Sequence, residues 1–566
     1  MVDITSLVDK GLFSNSFADR AKDVWMRTSR ILILVDGRLA VEPWPVPVIG
    51  QEFVVSEEFG ISVAIGELKR FAQGFSNFTV TVATRDGDGS PIRGHDISGY
   101  RFTRESLEKF DQVWMFGIWP DNPGVNPTYD DSEIEKPVYN PLSDAELSAL
   151  AQWMDEGGGV FATGDHDILG ASMAHKVPRV AAMRAWTLAD GAPTHFGTSR
   201  YTTTRPATFA ETIGAATIPF DNEEDYIPQA IEWVRFSKST IFERPHPLLC
   251  HPQLGPIDIL PDHMHEGRCF NFADPGWLSS KRDLTFSFDG YQNDYFPTVA
   301  GRRPLPQVVA WGFTPADPPL KYFDGDQPSR RFPDIAAYDG QQIGLGRVVV
   351  DSTWHHWFDL NLSGITKRSI EDGDRTILDK ILRYYVNVGI YLAAPSWRAG
   401  MALGLIKLNQ FEFFGRQIID LSAPTESIGQ ATRAFLANSL GPCWTGEYVL
   451  DQLLERPDLA SRWRSKLAEP ARSKLELSYQ SLEDHVLGET VRALYGDMTE
   501  LREQIAGTGA VQSTPLFETM DRVAKAATLK GVQHAVDNHA AEIEKARAEL
   551  AELDRQIKAN PLEGVQ

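Results

Sequence analysis

The feature that most constrains the fold is a sequence of strand, capped helix and strand that closes on a glycine-rich turn. The stretch LSDAELSALAQWMDEGGGVFATGDHDILG carries it. Ser143 with Glu146 fits a capping box, in which side chain and backbone at a helix start satisfy each other's free donors. Leu147, Leu150, Ala151 and Met154 then recur at helical spacing and form one apolar face. Gly157 supplies a stop, and GVFATG is short and apolar, as a strand buried on both faces is. RILILVDG, NFTVTVATR and FDQVWMFGIW read as three earlier strands, PQVVAWGF and GRVVVDSTWHHWFDLNL as two later ones. DRTILDKILRYYVNVGIYLA reads as an amphipathic helix closing the domain. Strands alternating with helices predict βαβ units and a parallel sheet.

The expected fold is therefore α/β: a flavodoxin-like parallel sheet with helices on both faces and long loop insertions, followed by an α-helical domain ending in a helical hairpin. Residues 1–27 are read as an N-terminal extension, 28–395 as the α/β domain, 396–470 as a helical connector and 471–566 as a long antiparallel hairpin. The hairpin rests on two series with 4-3 spacing. One is Leu487, Val491, Leu494, Met498, Leu501 and Ile505. The other is Leu529, Val532, Val536, His539, Ile543, Ala546, Leu550, Leu553 and Ile557. Such a hairpin either satisfies itself or serves as an arm for a homo-oligomer or a protein partner.

Composition narrows the function classes. The net charge is -22, from 77 acidic against 55 basic residues, so a nucleic-acid partner is not expected. The three cysteines, Cys250, Cys269 and Cys443, form no CxxC pair, so neither a disulfide framework nor a zinc knuckle is indicated. No apolar run approaches the ~20 residues of a spanning helix, and MVDITSLVDKGLFSNSF lacks the regions of a signal peptide. No membrane partner and a cytoplasmic location are expected.

Ligands of open parallel sheets bind outside the carboxyl ends of the strands. That rule collects Asp36 after the first strand, Asp165, His166 and Asp167 after the fourth, and Asp351, Ser352, Thr353, His355 and His356 after a late one. His166, Asp165, His355, His356 and Asp351 are the candidate catalytic residues, because imidazole moves protons near neutral pH and a carboxylate fixes its tautomer. Asp36, Arg179, Arg184 and Trp119 are candidates for ligand binding. The two arginines would suit a carboxylate or phosphate, or else pair with acidic side chains of the protein. The tryptophans would stack on a sugar ring or pack in the core. HPLLCHPQLGPIDILPDHMHEGRCF holds four of the 13 histidines, and His263, His265 and Glu266 within it are candidate ligands of a divalent metal such as zinc. The alternative is that these histidines bond loop carbonyls.

GGGVFATGDHDILG and GRVVVDSTWHHW, with the βαβ core, resemble the class I glutamine-amidotransferase-like superfamily, and most closely its trehalose-utilisation (ThuA-like) branch. The resemblance covers residues 28–395. It implies a Gly-x-His turn at Gly164 to His166 where amidotransferases have a nucleophilic Cys, and a late segment from Gly346 to His356. No cysteine stands at the elbow, so a thiolate glutaminase mechanism is not expected. The resemblance implies a hydrolase or lyase acting on a polar small molecule, such as a carbohydrate derivative. The competing expectation is a catalytically inactive ligand-binding or assembly module that works through its C-terminal helices.

Overall fold

The structure is a computed structural model. It describes residues 27–35, 39, 41, 60–74, 76–85, 94–117, 142–166, 168–192, 228–237, 244–261, 267–274, 284–314, 330–410, 421–446, 479–496 and 513–559. Asp36, Trp119, Asp167, His263, His265, Glu266, Met498, Leu501 and Ile505 lie outside the described residues. The chain divides into two compact units. One comprises residues 26–236 and 244–398; the other comprises 1–25, 237–243 and 399–566.

The first unit is built on a nine-stranded sheet. Its strands are β1 (Arg27–Val35), β2 (Ala72–Gln73), β3 (Ser76–Thr84), β4 (Gln112–Phe116), β5 (Gly159–Thr163), β6 (Glu232–Trp233), β7 (Gln307–Thr314), β8 (Arg330–Tyr338) and β9 (Val348–Asp351). Their order in space is β2-β3-β1-β4-β5-β9-β8-β7-β6. The run β3-β1-β4-β5-β9 is parallel throughout. Antiparallel strands extend it on both sides, with β2 on β3 and β8, β7 and β6 beyond β9. The sequence alone pointed to a parallel sheet; the antiparallel flank built by β6, β7 and β8 is an addition to it.

The apolar runs alternate between two faces, as the period of two requires. Leu32, Leu34, Val113, Met115, Val160, Ala162, Val348 and Val350 join a core with Leu147, Leu150 and Met154 of helix α2 (Asp144–Asp155). The Ser143–Glu146 capping box is formed at its start. On the opposite face Trp114, Phe116 and Phe161 pack around Trp357, which stacks on Tyr385 of helix α4 (Thr376–Leu392). Helix α1 (Ser62–Arg70) lies on that side too, packed on β3 and α4. Every side chain named in these two cores is at most a few per cent exposed, which is what strands without alternation demand.

Apart from Ser237, at the end of a short strand, the described elements of the second unit are helices. Helix α5 (Pro395–Gln410) contains the boundary between the units, and α6 (Thr425–Leu440), α7 (Tyr479–Gly496) and α8 (Ser513–Ala559) follow. α6 runs antiparallel to α7: Arg433 pairs with Asp484, and Thr425 bonds Glu489. α8 runs antiparallel to α7 as well: Asn538 meets His485, and Lys530 and His534 reach Glu489. The expected seam of α8 is only partly buried: Val532, His539, Ile543 and Ala546 are half-buried. Ala524, Ala527, Thr528, Gly531 and Ala535 are the buried residues, whereas Leu529, Val536, Leu550 and Leu553 are 43%, 44%, 66% and 53% exposed. The seam of α7 does face inward at Leu487, Val491 and Leu494. Among the described residues, no helix is long and apolar enough to cross a membrane.

Candidate functional site

Two strand ends make the site. β5 runs into Gly164, where the chain turns so tightly that a Cβ would overlap the Leu169 carbonyl oxygen. Gly170 closes the turn at φ +90°, in the left-handed region that glycine enters at least cost. Asp165 N donates to Leu169 O at 3.1 Å and Leu169 N to His166 O at 3.1 Å, so the turn is fixed from within. β9 ends at Asp351, and Ser352 N donates to Asp334 O on β8 at 2.9 Å. A single 3-10 turn, Trp354–His356, follows, and Trp354 N donates to Gly164 O at 2.9 Å, tying the two turns together.

The side chains then converge on Asp165. Its Oδ2 lies 3.6 Å from His166 Nε2 and 3.7 Å from His355 Nε2. Its Oδ1 accepts from Thr353 Oγ1 at 2.9 Å, and the same hydroxyl accepts from His355 N at 3.1 Å. His355 Nδ1 bonds Asn361 Oδ1 at 2.9 Å, which sets the plane of the ring. All of these residues are buried. A carboxylate held between two imidazoles is an arrangement for moving protons: a proton taken up at either Nε2 is met by a carboxylate oxygen.

Asp351 and His356 form a second cluster on the same turn rather than part of the first. His356 Nδ1 bonds Asp351 Oδ1 at 2.7 Å, and its Nε2 meets Gln229 Nε2 at 2.6 Å. Asp351 Oδ2 accepts from Trp357 Nε1 at 3.0 Å and Tyr384 Oη at 2.8 Å. Asp334 stands beside them, its Oδ1 accepting from Ser352 Oγ. Burial pushes the Asp334 carboxyl up to about 6; His356 opposes the rise, Asp351 adds to it, and the Ser352 bond opposes it.

Arg184 sits beneath both clusters, fully buried. Its guanidinium donates to Asp165 O, to Ser352 O and, at 2.9 Å, to Ala185 O. It therefore clamps the carbonyls at the ends of β5 and β9 and does not present a fork to a ligand. Burial lowers its pKa to about 10, and the neighbouring Cys269, Asp165 and Asp351 oppose the fall. The Cys269 thiol is driven well above its ordinary range by burial, with Arg184 opposing, so it is protonated at neutral pH and is no nucleophile. Arg179 is remote from this edge. It pairs with Asp155, the last residue of α2, on the approach to the start of β5. Its buried charge is answered by a carboxylate of the protein, which is the second of the two roles the sequence allowed.

The structure thus brings Asp165, His166 and His355 together and places Asp351 and His356 in an adjoining cluster. Asp36, Trp119, His263, His265 and Glu266 lie outside the described residues. Sequence reasoning missed Asp334, Asn361, Gln229 and Tyr384. One signal for the first was available: in RRFPDIAAY a lone carboxylate interrupts an apolar stretch, and such a group must find a partner when buried. No family model, no curated protein and no solved structure matches this chain.

Proposed function

We propose that the α/β unit is a histidine-dependent hydrolase or lyase acting on a polar small molecule, a carbohydrate derivative being the class favoured by the ThuA-like resemblance. The observation that carries the reading is the approach of two imidazoles to one carboxylate, at 3.6 and 3.7 Å, on the C-terminal edge of the parallel strands. One ring serves as base and the other as acid, and Asp165 stabilises whichever holds the proton. Thr353 and Asn361 keep the carboxylate and the His355 ring in place. The flavodoxin-like reading draws on the order of the five parallel strands, which by chain position is 2-1-3-4-5. The glutamine-amidotransferase-like assignment remains a reading of the GDH turn and the late strand, and fold by itself does not fix activity.

The test is conversion of a panel of glycosides, sugar lactones and sugar acids by the full-length chain, followed by proton NMR. His166→Gln and His355→Gln are each expected to lower the rate by about 100-fold or more, the usual contribution of a positioned acid or base. Rates unchanged in both variants, or no conversion by the wild type, would sink the reading. The second reading is a ligand-binding or assembly module. It is favoured by the exposed heptad residues Leu529, Val536, Leu550 and Leu553, which offer a surface to a second copy or a protein partner. Binding of a panel member without conversion would decide for it.

A further inference from the structure

The cluster beside the Asp165 site is electrostatically incomplete. Asp334, Asp351 and His356 each offer one ligand atom, and these atoms lie within 4.8 Å of one another. All three residues are fully buried. The hydrogen-bond donors that reach the two carboxylates are neutral groups, Ser352 Oγ, Trp357 Nε1 and Tyr384 Oη, together with the His356 ring. Arg184 lends positive charge from nearby, but its own hydrogen bonds go to backbone carbonyls. Asp334 Oδ2 has no hydrogen-bond partner among the described residues although it is shut off from solvent. An ionised oxygen left so is strongly disfavoured, and burying two carboxylates together compounds the cost.

We propose that Asp334, Asp351 and His356 bind one divalent transition-metal ion, Zn2+ or Mn2+. Two charges on the ion balance the two carboxylates, and Asp334 Oδ2 gains the partner it lacks. Two oxygens and one imidazole nitrogen form a hard-to-borderline donor set suited to those ions and unlike the thiolate sets that select soft metals. Ligand atoms around such an ion stand ~3 to 4 Å apart for bonds of about 2.0–2.2 Å, and those of this group already lie within 4.8 Å of one another. Hydrogen bonds already hold the groups that would face the ion. Trp357 and Tyr384 hold the outer oxygen of Asp351, Ser352 holds that of Asp334, and Gln229 meets the far side of the imidazole.

The ion's position gives it a role in holding the site's geometry. Its ligands lie on β8, on the last residue of β9 and on the turn that follows, and that same turn carries Thr353 and His355. Binding therefore pins the turn from which the Asp165 site takes two of its groups. The proposal is independent of any turnover at that site, and it uses none of His263, His265 and Glu266.

The experiment uses the full-length chain, stripped with a chelator and incubated with Zn2+, Mn2+ or Mg2+. After gel filtration the retained metal is counted by mass spectrometry and the melting temperature is recorded. One equivalent of Zn2+ or Mn2+ per chain, a rise in melting temperature on loading, and at least tenfold less metal in Asp334→Asn and His356→Gln are expected. A metal-free wild type, or the same metal content in both variants, overturns the proposal. So does metal that survives in Asp334→Asn and disappears in a His263→Ala/His265→Ala variant. If the cluster variants do not fold, the X-ray absorption spectrum of the loaded wild type decides. Oxygen donors with a single imidazole support the site, whereas sulfur or several imidazoles refute it.

Discussion

At the scale of single residues, one buried guanidinium, that of Arg184, joins the ends of β5 and β9 through Asp165 O and Ser352 O. Asp165, His166, Asp351 and His355 are legible because a polar residue directly after an apolar strand must emerge at the strand's end, wherever the chain goes next. Arg184 shows the other side. Two arginines near a polar turn fit a ligand as well as they fit the protein, and only the fold reveals that this guanidinium spans Asp165 O and Ser352 O. Hydrogen bonds to a charged donor contribute about 1.5–3 kcal/mol each. Arg184→Met is therefore expected to destabilise the protein by roughly 2–4 kcal/mol, after allowing for the desolvation cost that leaves with the cation. Urea unfolding measures this, and a midpoint unchanged from wild type would contradict the clamp. Lysine should not rescue it, since one ammonium cannot reach three carbonyls in the plane of a guanidinium. His251 supplies a pH signature. Burial first, then Arg383 and Lys380, lower its pKa from 6.5 to about 4, and its Nδ1 accepts from the backbone N–H groups of Gln253 and Leu254. The folded state then holds fewer protons than the unfolded state between about 4 and 6.5. The stability it contributes is present above 6.5 and lost as pH falls toward 4. Replacing His251 with Gln is expected to flatten the loss of melting temperature across that window; an unchanged slope would count against the assignment.

At the scale of elements, the strands of the parallel sheet and helix α2 were readable because local signals agree: apolar runs of strand length, a capping box, a glycine stop. β8 was not. RRFPDIAAY carries a proline and two kinds of charge, and its place in the sheet depends on pairing with β7 and β9, which no local pattern encodes. Helix α1 makes the same point. Its N-cap, Ile61, offers no side-chain acceptor. The cap comes from the far end of the domain: Asp359 Oδ2 and Oδ1 accept from Ser62 N and Val63 N at 2.9 and 3.0 Å. The first residue of helix α3 (Asp359–Asp372) thus closes the first turn of α1. Asp359→Ala leaves two buried N–H groups without acceptors and is expected to cost about 1–2 kcal/mol, the usual range for a lost N-cap. Amide hydrogen exchange should quicken at Ser62 and Val63. Exchange that quickens uniformly along α1, with those two no different from the rest, would mean the carboxylate is not their cap.

At the scale of the whole molecule, the heptads of α8 were visible in the sequence, but not what they face. The leucine spacing predicts a seam for α7, yet the buried residues of α8 are the small ones. A Cβ on Gly531 would overlap the backbone at Val486, and the neighbouring buried positions are alanine and threonine, so the helices approach closely along this face. Small residues allow backbone contact that leucine would hold apart. Larger side chains are left exposed at Leu529, Val536, Leu550 and Leu553, all members of the heptad series that a partner helix would read. Around the later ones the flanking residues are charged, and Arg547 pairs with Glu544 and Lys558 with Asp554 along the helix. Such a seam with charged borders suits pairing between long helices better than burial in a globular core. A second copy of the chain is the expected partner, because it brings the same seam at the same concentration. Light scattering at tens of micromolar should therefore give a mass near twice 63.1 kDa. Leu550→Glu with Leu553→Glu should return it to a single chain while leaving the melting temperature almost unchanged, since both side chains are already more than half exposed. A wild type that runs as one chain, or a double variant that keeps the doubled mass, would show that this face is simply solvated.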